Sequence, residues 1–123
     1  MGKRVLVVDD EPNIVMSLEF LMKRAGFEVA VARNGREALA ALEGTPPDLL
    51  LLDVMMPELD GYEVCERVRQ RPEWNQTKII MLTARGRDAE RQRGLALGAD
   101  RYVTKPFSTR ELVEQAKQLL GVA

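Results

Sequence analysis

Five polar residues, each at the end of a short apolar run, could together bind a metal ion and a phosphoryl group. They are Asp9, Asp10, Asp53, Thr83 and Lys105. Three carboxylates that converge repel one another, and a hard cation such as Mg²⁺ relieves that repulsion. A carboxylate is also a nucleophile toward phosphorus and gives an aspartyl phosphate. An ammonium group and a hydroxyl can stabilise the phosphoryl oxygens during such a transfer.

These chemistries suggest a role for each residue. Asp53 could attack the phosphorus, while Asp9 and Asp10 could hold the metal. Lys105 and Thr83 could hold phosphoryl oxygens. Each residue alone also has an ordinary structural interpretation, because an aspartate after a strand is commonly a turn former or a helix N-cap. Thr83 could likewise cap the next helix, and Lys105 could be a surface residue.

Five strand-like runs alternate with five segments of helical period. The runs cover 5–8, 29–32, 49–52, 79–82 and 102–104, and the helical segments cover about 12–26, 34–42, 58–70, 87–97 and 108–120. Two helix starts carry a capping pair, Asn34 with Glu37 and Ser108 with Glu111. This alternation predicts an α/β fold of (βα)5 type, a doubly wound parallel sheet with helices on both faces. Parallel strands end at one edge, where ligands bind, so the five polar residues are expected in one crevice.

Composition narrows the classes of protein that fit. The 123 residues suffice for one domain, taken as 1–123, and 46% hydrophobic with 30% charged residues is typical of a globular protein with a core. The net charge of −1 predicts no general attraction to nucleic acid or to anionic membranes. The chain has no histidine, which excludes histidine-based catalysis and histidine metal ligands. Its single cysteine, Cys65, is expected to be a buried structural thiol, and it favours a cytoplasmic location.

Five motifs, in this order and at this spacing, resemble the receiver domains of two-component response regulators, the chemotaxis regulators among them. The resemblance covers about 3–120. The motifs are Val7-Val8-Asp9-Asp10-Glu11, Asp53-Val54-Met55-Met56-Pro57, Asp60-Gly61, Thr83-Ala84 and Lys105-Pro106-Phe107. The resemblance implies a flavodoxin-like sheet with the strand order 2-1-3-4-5.

The resemblance also implies a metal site and a phosphoacceptor. Asp53 is then the residue that is phosphorylated. Mg²⁺, with Mn²⁺ as an alternative ion, is bound by Asp53 and directly by Asp10. Asp9 holds the ion mainly through water, and the backbone carbonyl of Met55 is a further ligand.

A switch is implied as well. Lys105 pairs with the phosphoryl group, and its peptide bond to Pro106 is cis. Thr83 hydrogen-bonds the phosphoryl group, and Tyr102 swings inward in response. The small side chain of Ala84 leaves access to the phosphate.

The expected function is a phosphorylation-dependent signalling switch that catalyses only its own phosphorylation and dephosphorylation. A sensor histidine kinase or a histidine phosphotransfer protein supplies the phosphoryl group. The output partner is unknown, and it is expected to contact the surface around the fourth helix, fifth strand and fifth helix. Basic residues outnumber acidic ones around that helix and strand: Arg85, Arg87, Arg91, Arg93, Arg101 and Lys105.

No direct binding of nucleic acid and no membrane association are expected. The sequence ends shortly after Leu120, which leads to the further expectation that no output domain is attached; the chain is then either a stand-alone receiver that acts by docking or one domain of a longer protein.

Two alternatives stay open on the residues alone. An aspartyl-phosphate phosphohydrolase would use the same nucleophile, but it needs a second acid two residues later, where this chain has Met55. A flavodoxin-like cofactor-binding module would place a phosphate after the first strand. The acidic turn Asp9-Asp10-Glu11 would repel that phosphate unless a metal intervened.

Overall fold

The computed structural model describes residues 2–84 and 87–122. In this part of the chain, five strands and five α-helices alternate. The strands are β1 (Arg4–Val8), β2 (Glu28–Ala32), β3 (Leu49–Asp53), β4 (Lys78–Thr83) and β5 (Arg101–Thr104). The helices are α1 (Pro12–Arg24), α2 (Gly35–Gly44), α3 (Gly61–Arg69), α4 (Asp88–Ala96) and α5 (Thr109–Leu120), with a short 3-10 helix at Pro72–Trp74.

The strands form one parallel sheet in the order β2-β1-β3-β4-β5. This confirms the predicted fold class and strand order. The central strand β3 pairs with β1 on one side and with β4 on the other. Its five residues are all buried, because helices cover both faces of the sheet at this position.

Alternation along each strand divides the core into two layers. Val7, Leu51 and Leu82 point to the layer that contains α1 and α5. Leu50 and Met81, one residue out of phase, point to the layer that contains α2 and α3. Successive strand residues face opposite sides of a sheet, so continuous apolar runs are what a doubly covered sheet requires.

The capping pair at Asn34 is confirmed, and the capping box predicted for Ser108 and Glu111 is confirmed for the bond that the serine side chain accepts. The Asn34 Oδ1 accepts a hydrogen bond from the Glu37 N–H at 2.8 Å, and the Ser108 Oγ accepts one from the Glu111 N–H at 3.2 Å. The sequence also predicts where α1 stops to within two residues. Gly26, just after this helix, has a φ of 99°, a conformation that glycine adopts at little cost.

The predicted start of α3 near Glu58 is wrong by three residues. Glu58 has a φ of 67°, which is incompatible with a right-handed helix. The helix begins at Gly61 because Asp60 caps it, accepting a hydrogen bond from the Glu63 N–H at 3.0 Å. The Glu63 side chain accepts one from the Asp60 N–H in return, which completes a capping box.

Within 2–84 and 87–122, no helix combines the length and apolar character needed to cross a membrane.

Candidate functional site

The carboxylates of Asp9, Asp10 and Asp53 converge at the carboxyl edge of the sheet, where β1 and β3 end side by side. Oxygen atoms of the three side chains lie within 4.8 Å of one another. Asp9 and Asp53 are buried, with 1% and 5% of their surface exposed, whereas Asp10 is exposed. The cluster therefore has two carboxylates in the protein interior, those of Asp9 and Asp53, and one at the surface, that of Asp10.

Asp53 is fixed by the backbone on both sides of it. It is the last residue of β3, and the following Val54 N–H donates to the Leu82 carbonyl at 3.1 Å. The Val54 carbonyl in turn accepts from the Gly61 N–H at 2.9 Å. A Cβ at position 61 would lie 2.5 Å from the Asp53 carbonyl oxygen, so only glycine allows α3 to begin against this strand end.

Lys105 bridges the two buried carboxylates. Its Nζ lies 3.3 Å from Asp9 Oδ2 and 3.4 Å from Asp53 Oδ1. The other oxygen of Asp9, Oδ1, accepts a hydrogen bond from the Glu11 N–H at 2.9 Å. Lys105 is held by its own N–H, which donates to the Thr83 carbonyl at 2.6 Å, and its bond to Pro106 is cis as the resemblance implied.

Burial raises the pKa of Asp53 from 3.8 to about 6, and the charge of Asp9 adds to this effect. The ammonium of Lys105 and a hydrogen bond from the Met55 N–H act in the opposite direction. Burial lowers the pKa of Lys105, but the charges of Asp53 and Asp9 outweigh it and leave that pKa above its ordinary value. The lysine is therefore charged at neutral pH, and Asp53 is ionised at a cost.

Asp10 differs from Asp9 in what surrounds its side chain. It points toward solvent, and no residue in 2–84 or 87–122 donates a hydrogen bond to its carboxylate. Both oxygens of Asp9, by contrast, already have partners, the Glu11 N–H and Lys105. A cation approaching from solvent would meet Asp10 without displacing a hydrogen bond.

Thr83 and Tyr102 lie on neighbouring strands beside this crevice. Thr83 ends β4 and is fully buried. The Tyr102 ring is already buried, so the inward position that the resemblance implies for the switched state is the position in this structure. Its hydroxyl lies 3.2 Å from that of Tyr62. Burial raises the pKa of Tyr102 above its ordinary value, as does the hydrogen bond with Tyr62, while a hydrogen bond with Thr83 acts in the opposite direction.

The remaining selected residues lie around the crevice. Ala84 is exposed directly after β4, and the side chain of Met55 is half exposed. Arg85, the first of the basic residues around α4, lies outside the described residues. Two others already have partners within the chain, since the guanidinium groups of Arg91 and Arg93 lie over tyrosine rings.

Tyr62 is not among the residues that the sequence predicts to be functional, although its hydroxyl contacts that of Tyr102. No nearby sequence feature identifies this residue, because the contact joins α3 to β5 across 40 positions.

Cys65, three residues further along α3, is buried as predicted, and burial raises its thiol pKa to about 11. Trp74 is buried beneath the Arg71 guanidinium, which lies 4.1 Å from the ring centre.

Comparison with known proteins gives a family and several relatives. The model of the response regulator receiver domain matches residues 5–117. The chain is 50% identical over 120 residues to the phosphate regulon transcriptional regulatory protein PhoB of Rhizobium meliloti (strain 1021). It is 48% identical over 120 residues to the alkaline phosphatase synthesis transcriptional regulatory protein PhoP of Bacillus subtilis (strain 168). Each alignment covers 98% of this chain, but only 53% of PhoB and 49% of PhoP.

A solved structure, that of the Vibrio cholerae chemotaxis protein CheY4, superimposes with a TM-score of 0.91 at 34% identity. The match covers 97% of this chain and 99% of that protein.

These findings correct the expectation of no direct binding of nucleic acid. Both curated relatives are transcriptional regulatory proteins, and this chain spans about half their length. The net charge of −1 is that of these 123 residues alone, so it does not exclude nucleic acid as a partner. For the same reason, the end of the sequence carries no conclusion about an output domain.

The match to the receiver-domain family separates this chain from the phosphohydrolase and flavodoxin-like alternatives. Receiver domains are signalling switches rather than classical enzymes. The match over 5–117 and the identity to PhoB and PhoP agree with the fold and with the acidic cluster at the sheet edge. The chain belongs to the response regulator receiver domain family.

Proposed function

We propose that this receiver is switched by transfer of a phosphoryl group to Asp53. The observation that carries the proposal is the buried Asp53 carboxylate, which shares one crevice with Asp9 and Asp10 and lies 3.4 Å from the Lys105 ammonium. A nucleophile, a cation-binding set and a fixed positive charge are the components that phosphoryl transfer to a carboxylate requires.

In the proposed reaction, an Asp53 carboxylate oxygen attacks the phosphorus of a phosphohistidine. A new oxygen–phosphorus bond forms as the phosphorus–nitrogen bond breaks, and the histidine nitrogen leaves with the electron pair. A sensor histidine kinase or a histidine phosphotransfer protein supplies this donor. Since the pKa of Asp53 is about 6, most of the carboxylate is ionised and nucleophilic near pH 7.5. Lys105 stabilises the negative charge that accumulates on the transferred oxygens.

The acidic cluster fits Mg²⁺, or Mn²⁺, by the chemistry of its donors. Three carboxylates with one lysine leave a net negative charge in the crevice, which a hard divalent cation neutralises. Asp10 and Asp53 would hold the ion directly, with Asp9 acting through water and the Met55 carbonyl as a further ligand. When bound, the ion supplies charge neutralisation for the phosphoryl oxygens.

The proposed response runs from Thr83 to Tyr102 and then to the surface of α4, β5 and α5. Thr83 and Tyr102 lie on adjacent strands, with Met81 paired to Tyr102 and Thr83 paired to Thr104. The small, exposed Ala84 would leave a path for the phosphoryl donor. We propose that the reaction takes place in the cytoplasm, where a lone buried thiol such as Cys65 stays reduced.

Incubation with acetyl phosphate and Mg²⁺, followed by intact mass spectrometry, tests this function. The parent chain should gain the mass of one phosphoryl group, and Asp53→Asn should gain none. Asp88→Asn, an exposed aspartate on α4, is the matched control and should react like the parent. A chelator should abolish the reaction in every variant. An adduct that persists in Asp53→Asn would refute the assignment.

A further inference from the structure

Tyr62 joins three elements that the proposed switch must move relative to one another. Its hydroxyl, on α3, donates to the Glu90 carbonyl of α4 at 3.2 Å. The same hydroxyl lies 3.2 Å from the Tyr102 hydroxyl of β5. The Glu90 carbonyl belongs to the first turn of α4, so this hydroxyl pair reaches the end of that helix that lies nearer the crevice.

Counting hydrogens fixes the direction of these bonds. A tyrosine hydroxyl has one hydrogen, and Tyr62 uses its own on the Glu90 carbonyl. Tyr102 must therefore donate to Tyr62. With its hydrogen used in this way, Tyr102 can only accept from Thr83, with which it is also hydrogen-bonded. The result is a directed chain from Thr83 through Tyr102 and Tyr62 to the backbone of α4.

The packing around both rings ties them to α4. A Cβ at position 94 would lie 2.9 Å from Tyr102 Cδ2 and 2.8 Å from Met81 Sδ, so Gly94 makes room for the buried ring. The Arg93 guanidinium lies 4.1 Å from the centre of the Tyr62 ring. The Arg91 guanidinium donates to the Tyr102 carbonyl at 3.2 Å. A displacement of either ring therefore changes contacts that α4 makes.

We propose that Tyr62 is a positioning residue of the switch, which transmits the state of Thr83 through Tyr102 to the first turn of α4. This inference rests on the proposed function. Thr83 has one hydroxyl hydrogen, which cannot serve a phosphoryl oxygen and Tyr102 at once. When the hydrogen turns to the phosphoryl group, Tyr102 loses the bond that it accepts. The two tyrosine hydroxyls then rearrange, and the hydrogen bond from Tyr62 to the Glu90 carbonyl of α4 changes with them.

Two tyrosines in the whole chain make a direct test practical, since a sample labelled with ¹³C at tyrosine Cζ gives two NMR signals. Tyr62→Phe removes one hydroxyl and keeps the ring. We expect it to shift the Tyr102 signal. We also expect the population of the buried Tyr102 ring, relative to an exposed one, to fall about fivefold, the usual effect of losing one neutral hydrogen bond. The beryllofluoride-induced amide shifts across Asp88–Ala96 should fall to about half or less. Phosphorylation of Asp53 by acetyl phosphate should be unchanged.

Two further variants separate this role from a merely structural one. Thr77→Val removes another buried hydroxyl, which donates to the Pro47 carbonyl at 2.7 Å far from the switch, and it should leave the α4 response intact. Tyr102→Phe and the Tyr62→Phe/Tyr102→Phe double variant should show the same beryllofluoride-induced amide shifts in α4, because either change breaks the same series of hydrogen bonds.

The outcomes distinguish this inference from the function on which it rests. A parent chain with no beryllofluoride response and no adduct at Asp53 overturns the proposed function, and the role of Tyr62 with it. A parent chain that responds, together with a Tyr62→Phe chain that responds equally and keeps its Tyr102 signal, overturns the role of Tyr62 alone.

Discussion

Replacing Asp53 by asparagine should stabilise the folded chain when no divalent cation is present. Asp53 is buried at the end of β3 beside Asp9, and its ionised form is disfavoured there. The amide is nearly the same size and carries no charge. The substitution therefore removes an electrostatic cost and leaves the shape of the crevice unchanged.

The magnitude follows from the pKa of Asp53, which is about 6 in the folded chain against a reference value of 3.8. At 1.36 kcal/mol per pH unit, ionised Asp53 costs the folded state about 3 kcal/mol at pH 7.5. The amide recovers less than this, because its own polar groups still have to be buried and hydrogen-bonded in the crevice; the contact with Lys105 is already included in the pKa. We expect a net gain of about 1–2 kcal/mol in the free energy of unfolding.

The pH dependence has a definite sign. A carboxyl group whose pKa is raised binds its proton more tightly in the folded state, so stability increases as the pH falls. The gain begins near pH 6 and continues toward 3.8, where the unfolded chain also takes up the proton. Between pH 7.5 and 5.5, this group should add about 1 kcal/mol to the stability of the parent chain and nothing to that of Asp53→Asn.

Urea unfolding in the presence of a chelator, at pH 7.5 and 5.5, measures both effects. Asp88→Asn serves again as the control for loss of an exposed charge. Addition of Mg²⁺ should stabilise the parent more than Asp53→Asn, because a bound ligand stabilises the state that binds it. An Asp53→Asn chain that is less stable than the parent in chelator at pH 7.5, with the same pH dependence, would refute the electrostatic reasoning.

Three other substitutions test separate parts of the site. Lys105→Ala should lower the free energy of unfolding by about 1–3 kcal/mol, measured with urea in the presence of a chelator, because Asp9 and Asp53 lose the ammonium that they share. Phosphorylation of this variant should also be slower. Asp10→Ala should weaken Mg²⁺ binding about tenfold or more in an amide-shift titration and leave stability within about 0.5 kcal/mol, since its side chain is exposed. Gly61→Ala should cost more than about 2 kcal/mol, because the added methyl meets the Asp53 carbonyl oxygen at 2.5 Å. Unchanged stability in Lys105→Ala or Gly61→Ala, or unchanged Mg²⁺ affinity in Asp10→Ala, would contradict the role given to that residue.

The fold could be predicted from the sequence because apolar runs that are too short for helices recur at regular intervals. The run Leu49–Leu52 is the clearest case, since a strand buried on both faces has no reason to alternate with polar residues. Prediction failed where two acidic residues competed to begin α3. The helical pattern extends back to Glu58, but Asp60 has the short side chain and the Glu63 partner that a capping box needs, so the helix begins after it.

The membership of the site was predictable, but its internal arrangement was not. Parallel strands end at one edge, so Asp9, Asp10, Asp53 and Lys105 had to meet there. Which aspartate is buried depends on the direction of each side chain after β1 ends, where strand alternation no longer applies. Tyr62 was beyond prediction for a different reason, since its partner on β5 is set by how α3 and α4 pack on the sheet.

Under the proposed function, the burial that makes Asp53 costly to ionise would also make its phosphorylation effective as a signal. In a solvated loop, water and salt screen a change of one or two charges, so neighbouring groups shift little in response. Here the change occurs beside two other carboxylates and one ammonium, in a crevice walled by the apolar strands β1, β3 and β4. The folded chain can accommodate the added charge by binding a cation and by redirecting hydroxyl hydrogens such as that of Thr83. Redirecting the Thr83 hydrogen would remove a hydrogen bond of Tyr102, whose hydroxyl contacts Tyr62 and, through it, α4.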